Sequence, residues 1–296
     1  SGTVLPWQYY QAGFEVTLVE RETTWTTIGY VLGILPNGYN ILADIGAAQA
    51  VRRKAVELKS FTLKNGEGDV IWKSDFADLI RDVGPVLEVE REHVHGALLD
   101  VTAGADIRTG VTVESFEDRG KDVYVRLSDG TEGTYDLVVG ADGVNSGIRQ
   151  RLFPQAEKSY SGFTFWLAWV ERTFPKPDGP INYFGDRTLV CIFPTADEKR
   201  VGALFLLPAA AKAFDRINGR EHLRTHFKYM RGEVPALLAA LPDSSHIYHA
   251  DDDEILLKEW HRGRVALLGA ADHGVSPLPG MGASMAMEDA YVLAQE

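Results

Sequence analysis

The first third of the chain alternates short apolar runs with longer segments of helical periodicity. The run Glu15–Val19 is apolar and rich in β-branched residues, which is typical of a buried strand. Apolar positions three and four residues apart predict helices over Val4–Gln11, Pro36–Ala50 and Arg91–Val101. This alternation of strand and helix patterns predicts units of the α/β type.

Further along, the pattern changes to the two-residue period of strands. Ser60–Phe76 alternates like a hairpin whose turn lies at Asn65–Gly68. Three more strands are predicted over Asp106–Phe116, Asp122–Leu127 and Thr134–Val139.

The centre of the chain has a different character. Tyr160–Leu207 is rich in aromatic and β-branched residues, which predicts an antiparallel sheet. Ala209–Leu241 is helical with an interruption near Pro235, Arg264–Leu268 is a final buried strand, and a helix starts near Gly282. The order predicts an α/β nucleotide-binding part that is interrupted by an α+β insertion.

Composition narrows the classes of partner. A net charge of −12 argues against nucleic acid, which requires clustered Lys and Arg. No segment approaches the roughly 20 apolar residues of a membrane span, and no secretory leader is visible. The single cysteine, Cys191, excludes an intramolecular disulfide and a cysteine-based zinc site, and no His/Asp/Glu cluster has metal-ligand spacing. We therefore expect a cytoplasmic protein without metal, whose partner is a small molecule and whose oligomeric state is open.

Two features near the N-terminus fit a dinucleotide fold. A strand that ends in an acid can place a carboxylate under an adenosine ribose, roughly 20 residues after a glycine-rich turn. Glu20 follows the predicted strand at about that distance from Gly2. Gly2 is consistent with the last glycine of G-x-G-x-x-G, whose first two glycines would lie upstream of residue 1. An ordinary solvated strand end would look the same.

A glycine-rich loop follows the predicted strand that ends at Val139. Small residues such as Gly140 and Gly143 let a backbone approach a ligand closely. The carboxylate of Asp142 could accept a hydrogen bond from a ribityl or ribose hydroxyl. Arg149 could either face a phosphate or hold the loop.

A second loop, within Gly263–Asp289, gives the strongest signal in the chain. Pro277 and Pro279 stiffen it, and Gly280-Met281-Gly282 exposes backbone N–H groups at the start of a helix. Such a helix end attracts negative charge through its unpaired donors and its dipole. A reduced flavin, which is anionic near N1 and O2, would be stabilised there.

These two loops resemble the signature motifs of the para-hydroxybenzoate-hydroxylase-like flavoprotein monooxygenases. The first resembles the family pattern Gly-Ala-Asp-Gly-x-x-Ser-x-x-Arg, matched by Gly140, Ala141, Asp142, Gly143, Ser146 and Arg149. The second resembles the family's Gly-Asp motif and the proline-glycine loop after it. Arg91 matches the start of the flavin-contacting helix, and Glu20 with Arg21 matches the adenosine-binding strand end.

The resemblance implies FAD as cofactor and NAD(P)H as co-substrate. A flavin C4a-hydroperoxide would transfer oxygen to an apolar, aromatic or polyketide-like molecule. It also implies a Rossmann-like FAD-binding domain with its first strand missing, over 1–59, 80–155 and 262–296. The interrupting substrate-binding domain would be α+β with an antiparallel sheet and cover 60–79 and 156–261.

The resemblance assigns roles to particular residues. The predicted cofactor-binding residues are Gly2, Glu20, Arg21, Arg91, Asp142, Gly143, Asp272, Pro277, Gly280, Met281 and Gly282. The predicted substrate-binding residues are Phe165, Tyr183, Phe193, Phe205 and Pro279. His273, beside the flavin loop, is a candidate base or hydrogen-bond anchor.

The chain departs from the family at two places. The family reads Gly-Asp-Ala-Ala-His where this chain has Ala270 at the acid position and an acid two places later, at Asp272. A side chain two residues further along a loop points in a different direction. We therefore expect Asp272 not to replace the family's acid fully, and we expect the affinity for FAD to be weakened. The family's first strand and its later helices lie outside residues 1–296, so we also expect a truncated chain with incomplete FAD binding.

Two alternatives stay open. A truncated or degenerate flavoprotein would bind its ligand without turnover, and Ala270 favours that interpretation. A flavin-dependent halogenase shares the fold, but it typically carries Trp-x-Trp-x-Ile-Pro, and the tryptophans here show no such pair.

Overall fold

The computed structural model describes residues 13–25, 31–102, 105–214 and 219–295. Gly2 and the predicted helix over Val4–Gln11 lie outside these ranges. The described helices are α1 (Pro36–Asp44), α2 (Ala48–Arg52), α3 (Ala77–Val83), α4 (Arg91–Val101), α5 (Gly147–Leu152), α6 (Gly219–Phe227), α7 (Val234–Ala239) and α8 (Gly282–Leu293). Short 3-10 turns cover Ser244–His246 and Gly269–Ala271.

The described strands come in the following order. They are β1 (Thr17–Glu20), β2 (Val31–Ile34), β3 (Val56–Glu57), β4 (Ser60–Asn65), β5 (Val70–Asp75), β6 (Leu87–Glu90), β7 (Asp106–Thr109), β8 (Val113–Asp118), β9 (Val123–Leu127), β10 (Glu132–Tyr135), β11 (Val138–Gly140), β12 (Ser159–Glu171), β13 (Ile181–Phe184), β14 (Leu189–Pro194), β15 (Arg200–Pro208), β16 (Ile247–Glu254), β17 (His261–Arg262) and β18 (Val265–Leu267). The predicted order of α/β units, antiparallel sheet and a final strand–loop–helix is confirmed.

The α/β part contains parallel strand pairs. β1 pairs with β7, and β11 pairs with β18, so Glu20 and Gly140 each end a parallel strand. A separate antiparallel sheet has the order β2-β6-β3. Helices α1, α2, α4 and α8 pack with that sheet around a core that includes Leu42, Leu87 and Met287.

The strand predicted over Asp106–Phe116 is two strands. β7 pairs in parallel with β1, whereas β8 pairs antiparallel with β9. The chain must therefore turn from one sheet into another, and it does so at Gly110, whose φ of 74° suits glycine.

The helical segment predicted over Ala209–Leu241 also differs in detail. Its helices are α6 and α7, and Pro235 lies in the first turn of α7. Proline lacks an N–H, but the first turn of a helix has no intrahelical partner for that group. The predicted interruption is confirmed, over residues 228–233 just before Pro235, and Pro235 helps to start the second helix.

The interrupting part is built on one seven-stranded sheet of order β16-β12-β15-β14-β13-β4-β5. The sheet is antiparallel except for the parallel pair β13–β4. The predicted hairpin Ser60–Phe76 supplies its edge, as strands β4 and β5.

The two faces of this sheet have different neighbours. We call one the helix-covered face, because Trp166, Tyr183, Val190, Ile192 and Phe205 pack there against α6 and α7. We call the other the flavin-side face; it carries Phe163, Phe165, Leu167, Leu189, Cys191, Phe193, Leu204 and Leu206. Successive strand residues point to opposite faces, so neighbours such as Phe165 and Trp166 have opposite roles.

Among the described residues, no helix has the length and apolar character needed to cross a bilayer.

Candidate active site

The first signature loop begins where β11 ends. A Cβ at Gly140 would lie 2.8 Å from the Ile148 Cβ and from the Leu267 Cδ2. Only glycine allows β11 to approach both α5 and β18 this closely. The glycine therefore serves packing, and it sets the position of the residues that follow.

Asp142 uses its carboxylate within the loop. Its Oδ1 accepts from the Ser146 Oγ at 2.5 Å, and its Oδ2 accepts from the backbone N–H groups of Gly147 at 2.8 Å and Ile148 at 3.2 Å. Ser146 in turn accepts from the backbone N–H of Arg149 at 2.8 Å, as an N-cap residue does. Asp142 is itself exposed, so it could offer a further lone pair to a ligand.

Arg149 joins the two signature loops. Its side chain is 1% exposed and donates from Nη1 to the Ala271 carbonyl at 2.9 Å and from Nη2 to the Val144 carbonyl at 2.7 Å. Burial lowers the pKa of this guanidinium. Of its two expected roles, Arg149 therefore has the structural one, holding the loops, and it does not face a phosphate.

The second loop lies against strand β2. A Cβ at Gly33 would lie 2.8 Å from the Gly280 carbonyl oxygen. Two residues further on, the backbone N–H of Leu35 donates to the Ser284 Oγ at 3.0 Å. A Cβ at Gly38 would lie 2.6 Å from that same oxygen, so α1 and α8 pack through small residues.

The proline-glycine loop is exposed and leads into the start of α8; within the loop, the Gly280 N–H donates to the Pro277 carbonyl at 3.0 Å, so the available donors are those of the first turn of α8. Pro277, Pro279, Gly280, Met281 and Gly282 are all exposed. The N-cap of α8, Met281, makes no side-chain capping hydrogen bond, and the first turn contains no acid. The helix end therefore retains the unpaired N–H groups and the positive dipole that an anionic ring edge requires.

Glu20, Arg21 and Arg91 are predicted cofactor-binding residues in the first third of the chain. Glu20 ends β1, and Arg91 begins α4. His95, one turn further on, contacts the Trp25 ring in a tilted arrangement, with the ring centroids 4.8 Å apart. Burial first and then the charge of Arg91 lower the pKa of His95, and the charge of Glu20 raises it, so both groups lie near this ring. Arg21, in contrast, is exposed and pairs with Glu22 at 3.1 Å.

Asp272 does not lie where the resemblance placed it. The side chain is fully buried, and both carboxylate oxygens have no hydrogen-bond partner among the described residues. Burial is the largest cause that raises its pKa, to about 6. Ala270 is the exposed residue of this turn. The assignment of Asp272 to cofactor binding is therefore wrong, because the 3-10 turn aims its side chain inwards.

His273 is likewise an interior residue. Its Nε2 lies 2.5 Å from the Asp289 Oδ2, which also accepts from the backbone N–H of Gly269 at 2.9 Å. The hydrogen bond to Asp289 is the largest cause that raises the pKa of His273. The side chain is 8% exposed and faces α8, so His273 is an anchor between the turn and α8. Its expected role as a base is not supported.

Sequence spacing did not reveal the clustering of Asp272, His273 and Asp289. Their ligand-type atoms lie within 4.8 Å of one another. The separation of Asp289 from the other two residues along the chain hides this proximity, which only the packing of α8 produces. At 2.5 Å the contact of His273 with Asp289 is a hydrogen bond.

The predicted substrate residues divide between the two faces of the large sheet. Phe165 and Phe193 lie on the flavin-side face. Tyr183 and Phe205 lie fully buried on the helix-covered face, where Phe205 packs against Phe227 at 5.3 Å. The assignment of Tyr183 and Phe205 to substrate binding is therefore wrong, because the pleat turns them away from the flavin loop.

The flavin-side face meets strands β2 and β6 directly. A Cβ at Gly202 on β15 would lie 3.1 Å from the Val31 Cγ2 and 3.5 Å from the Phe193 Cδ2. Next to this contact, the Arg200 Nη2 pairs with the Glu90 Oε1 at 2.9 Å. Since Val31 and Gly33 point to the same side of β2, the sheet and the Gly280 loop cover neighbouring parts of one surface.

Sequence reasoning missed two polar residues at this junction. Glu88 and Asn182 are 5% and 8% exposed. The alternation in Leu87-Glu88-Val89-Glu90 predicts a strand with one solvent-exposed face, so nothing in the pattern predicts a buried glutamate. Asn182 follows Ile181 in an apolar strand, where a polar residue signals little by itself.

The described residues fit an FAD. The exposed helix end of α8, the Glu20–Arg91 region and the Asp142 loop are the donors and acceptors that a flavin dinucleotide requires.

Comparison with known proteins decides the family. A sequence profile described as "FAD binding domain" matches residues 1–296. This chain belongs to that family. The 6-hydroxynicotinate 3-monooxygenase of Pseudomonas fluorescens is 28% identical over 306 residues, which cover 96% of this chain and 77% of that protein. The 2-heptyl-3-hydroxy-4(1H)-quinolone synthase of Pseudomonas aeruginosa is 27% identical over 308 residues, which cover 100% of this chain and 78% of that protein.

Solved structures agree with the assignment. The complex of Klebsiella pneumoniae HpxO with FAD and uric acid has a TM-score of 0.90 and 25% identity, covering 99% of this chain and 76% of that one. The family member described here is accordingly an FAD-dependent monooxygenase that uses NAD(P)H, and the expected fold, cofactor and reaction class are confirmed.

Proposed function

We propose that this monooxygenase hydroxylates an oxygen-substituted nitrogen heterocycle. The observation that carries the proposal is the flavin-side face, an apolar aromatic surface that adjoins the flavin loop at Gly33 and Gly280. Relatives support the choice of heterocycle, because their names specify a quinolone, a hydroxynicotinate and urate. A planar ring would lie against Phe193 and the other apolar side chains of that face.

Bound FAD would supply hydride acceptance from NAD(P)H and the activation of dioxygen. The residues of this chain do the positioning. The free N–H groups at the start of α8 would stabilise negative charge on the flavin ring. Arg149 holds the two loops at a fixed separation, since it bonds to a carbonyl of each. The apolar sheet excludes water from the reacting face.

We also propose the division into a cofactor domain (1–59, 80–155, 262–296) and a substrate domain (60–79, 156–261). The shared sheet of β4, β5 and β12–β16 supports it. The dependence on NAD(P)H and the unpaired thiol of Cys191 support a cytoplasmic location.

The test is reconstitution with FAD, followed by NADPH oxidation with a panel of hydroxypyridines, quinolones and purinones. We expect at least one heterocycle to accelerate NADPH oxidation and to gain one oxygen atom from isotopically labelled dioxygen. Acceleration without oxygen transfer for every compound, or no flavin binding at all, would contradict the proposal.

Matched variants connect the result to the loop geometry. Gly33→Ala adds a methyl group whose carbon would lie 2.8 Å from the Gly280 carbonyl oxygen, and it should weaken FAD binding strongly. Gly96→Ala, in open space on α4, should not weaken it. Ala270→Asp restores the family's acid at an exposed position and should tighten FAD binding. An unchanged affinity would show that the acid is dispensable here.

A further inference from the structure

Glu88 projects towards the junction between the flavin loop and the large sheet. In the antiparallel pair β2–β6, Glu88 lies opposite Gly33, so the two residues point to the same side. On that side the Gly280 carbonyl stands over Gly33. Two pairs further along, and on the same side, Glu90 lies opposite Val31, and these residues contact Arg200 and Gly202 of the large sheet. Glu88 therefore lies beside the loop contact and two residues along β6 from the sheet contact.

Glu88 also reaches the flavin-side face itself. Burial raises the pKa of the Cys191 thiol on that face, and the charge that Glu88 carries when it is ionised adds to this rise. Cys191 lies opposite Asn182 in the pair β13–β14, and its thiol donates to the Asn182 Oδ1. The aromatic surface thus has one polar patch, formed by Glu88, Cys191 and Asn182.

One oxygen of this carboxyl group lacks a hydrogen-bond partner among the described residues. Glu88 is 5% exposed, and its Oε2 is buried without a hydrogen bond among the described residues. Its neighbour on the same strand, Glu90, is paired with Arg200, so no free cation there compensates Glu88. Burial raises the pKa of Glu88 well above its ordinary value, which favours the neutral acid over the carboxylate.

A neutral carboxylic acid has a specific binding preference. It offers one O–H donor beside one carbonyl acceptor, in the geometry that pairs with an N–H next to a C=O. An ionised carboxylate accepts only and would select a cation. An unpaired buried acid is costly for folding, and a ligand that pairs with it recovers that cost.

We propose that Glu88 is a specificity-determining residue that binds a cyclic lactam edge, the N–H beside C=O of an oxo-heterocycle, through two hydrogen bonds. Asn182 borders the same patch. The inference rests on the proposed function, because it names the group by which the substrate would be recognised.

The experiment is calorimetric titration of the protein, both FAD-loaded and FAD-free, with 2-quinolone and with N-methyl-2-quinolone. The methyl group removes the donor and leaves the ring. We expect the protein to bind 2-quinolone about tenfold more tightly than its N-methyl analogue.

Two variants and a control isolate Glu88. Glu88→Gln keeps a donor beside an acceptor and should retain the preference, whereas Glu88→Met should reduce it to about twofold or less. Tyr183→Phe, on the helix-covered face, should leave it unchanged. The inference would be overturned if the two probes bound the unmodified protein equally or did not bind at all. It would also be overturned if the preference survived in Glu88→Met or was lost in Glu88→Gln.

The pH dependence gives a second readout. The preference should fall with rising pH in the unmodified protein, as Glu88 ionises, and stay constant in Glu88→Gln. A lactam preference without turnover would contradict only the proposed function, and turnover without the preference would contradict only the role of Glu88.

Discussion

The two faces of the seven-stranded sheet are built from the same strands, but two polar groups beside them, the Tyr183 hydroxyl and the Glu88 carboxyl, differ in how they are satisfied. On the helix-covered face, the Tyr183 hydroxyl accepts from the Lys64 Nζ at 3.1 Å and from the Glu233 backbone N–H at 3.2 Å. Beside the flavin-side face, on strand β6, the Glu88 Oε2 is buried without a hydrogen-bond partner among the described residues. The Tyr183 hydroxyl is therefore satisfied within the protein, whereas the Glu88 carboxyl retains binding capacity for a ligand.

This difference shows where stability and function are separated. A polar group whose partners are all in the protein stabilises one packed structure. A buried group without a partner lowers stability until a ligand supplies one. Removing a satisfied buried polar group should therefore lower stability, whereas removing the unpaired Glu88 carboxyl should raise it.

The largest expected effect is on the helix-covered face. Phe205→Ala should lower the free energy of unfolding by about 3–5 kcal/mol, because the ring is fully buried against Phe227 and α6. Phe193→Ala, on the partly exposed flavin-side face, is the matched control and should cost clearly less while weakening ligand binding. Urea denaturation of both variants measures the difference, and equal costs would remove the distinction.

The next largest expected effect is a gain in stability. Glu88→Met replaces an unpaired buried carboxyl with an apolar side chain of similar length and should raise the free energy of unfolding by about 1–3 kcal/mol. The same variant should lose its lactam preference. A destabilised Glu88→Met protein would indicate that Glu88 has a structural partner.

A smaller loss of stability is expected from a polar substitution on the helix-covered face. Tyr183→Phe removes the hydroxyl that accepts from Lys64 and Glu233, and it should lower stability by about 1 kcal/mol. Lys64 keeps its ion pair with Glu233 at 2.8 Å, which limits the cost. Thermal unfolding at neutral pH provides the measurement, and a stability gain would contradict the comparison.

The smallest effect is a difference in pH dependence. Burial raises the pKa of Glu88, so the folded state holds a proton that the unfolded state has lost. Stability from this group is present at low pH and is lost as pH rises from about 4.5 through the folded-state pKa. Glu88→Gln should therefore show a flatter stability curve above that pH.

Unfolding followed across this pH range in both proteins checks the prediction. Asp272 and His273 titrate in the same direction, since their pKa values are also raised, but they are present in both proteins and cancel in the difference. Parallel curves would show that Glu88 is already ionised in the folded state.

The local motifs were predictable because they depend on local chemistry. Gly280-Met281-Gly282 before a helix, the Asp142 loop after a strand and the acid Glu20 at a strand end are read from neighbouring residues. The structure places these motifs at the expected element boundaries. Helix α4 and the β4–β5 hairpin were also predicted closely, since their apolar periods are regular.

The errors arise where a side chain's direction matters. Tyr183 and Phe205 share the composition of Phe165 and Phe193, yet the pleat sends them to the other face. Asp272 lies two residues from the family's acid position, and a 3-10 turn aims it into the interior. Residue type and spacing specify neither outcome.

The sequence by itself determined the order of the elements, the two signature loops and the family, because glycine placement and apolar periodicity act over a few residues. Only the tertiary structure decided that Arg149 holds the loops together, that His273 anchors α8, and that Glu88 lies buried and unpaired beside the flavin-side face. These properties depend on residues distant in sequence that burial brings into contact, and burial is a property of the whole packed chain.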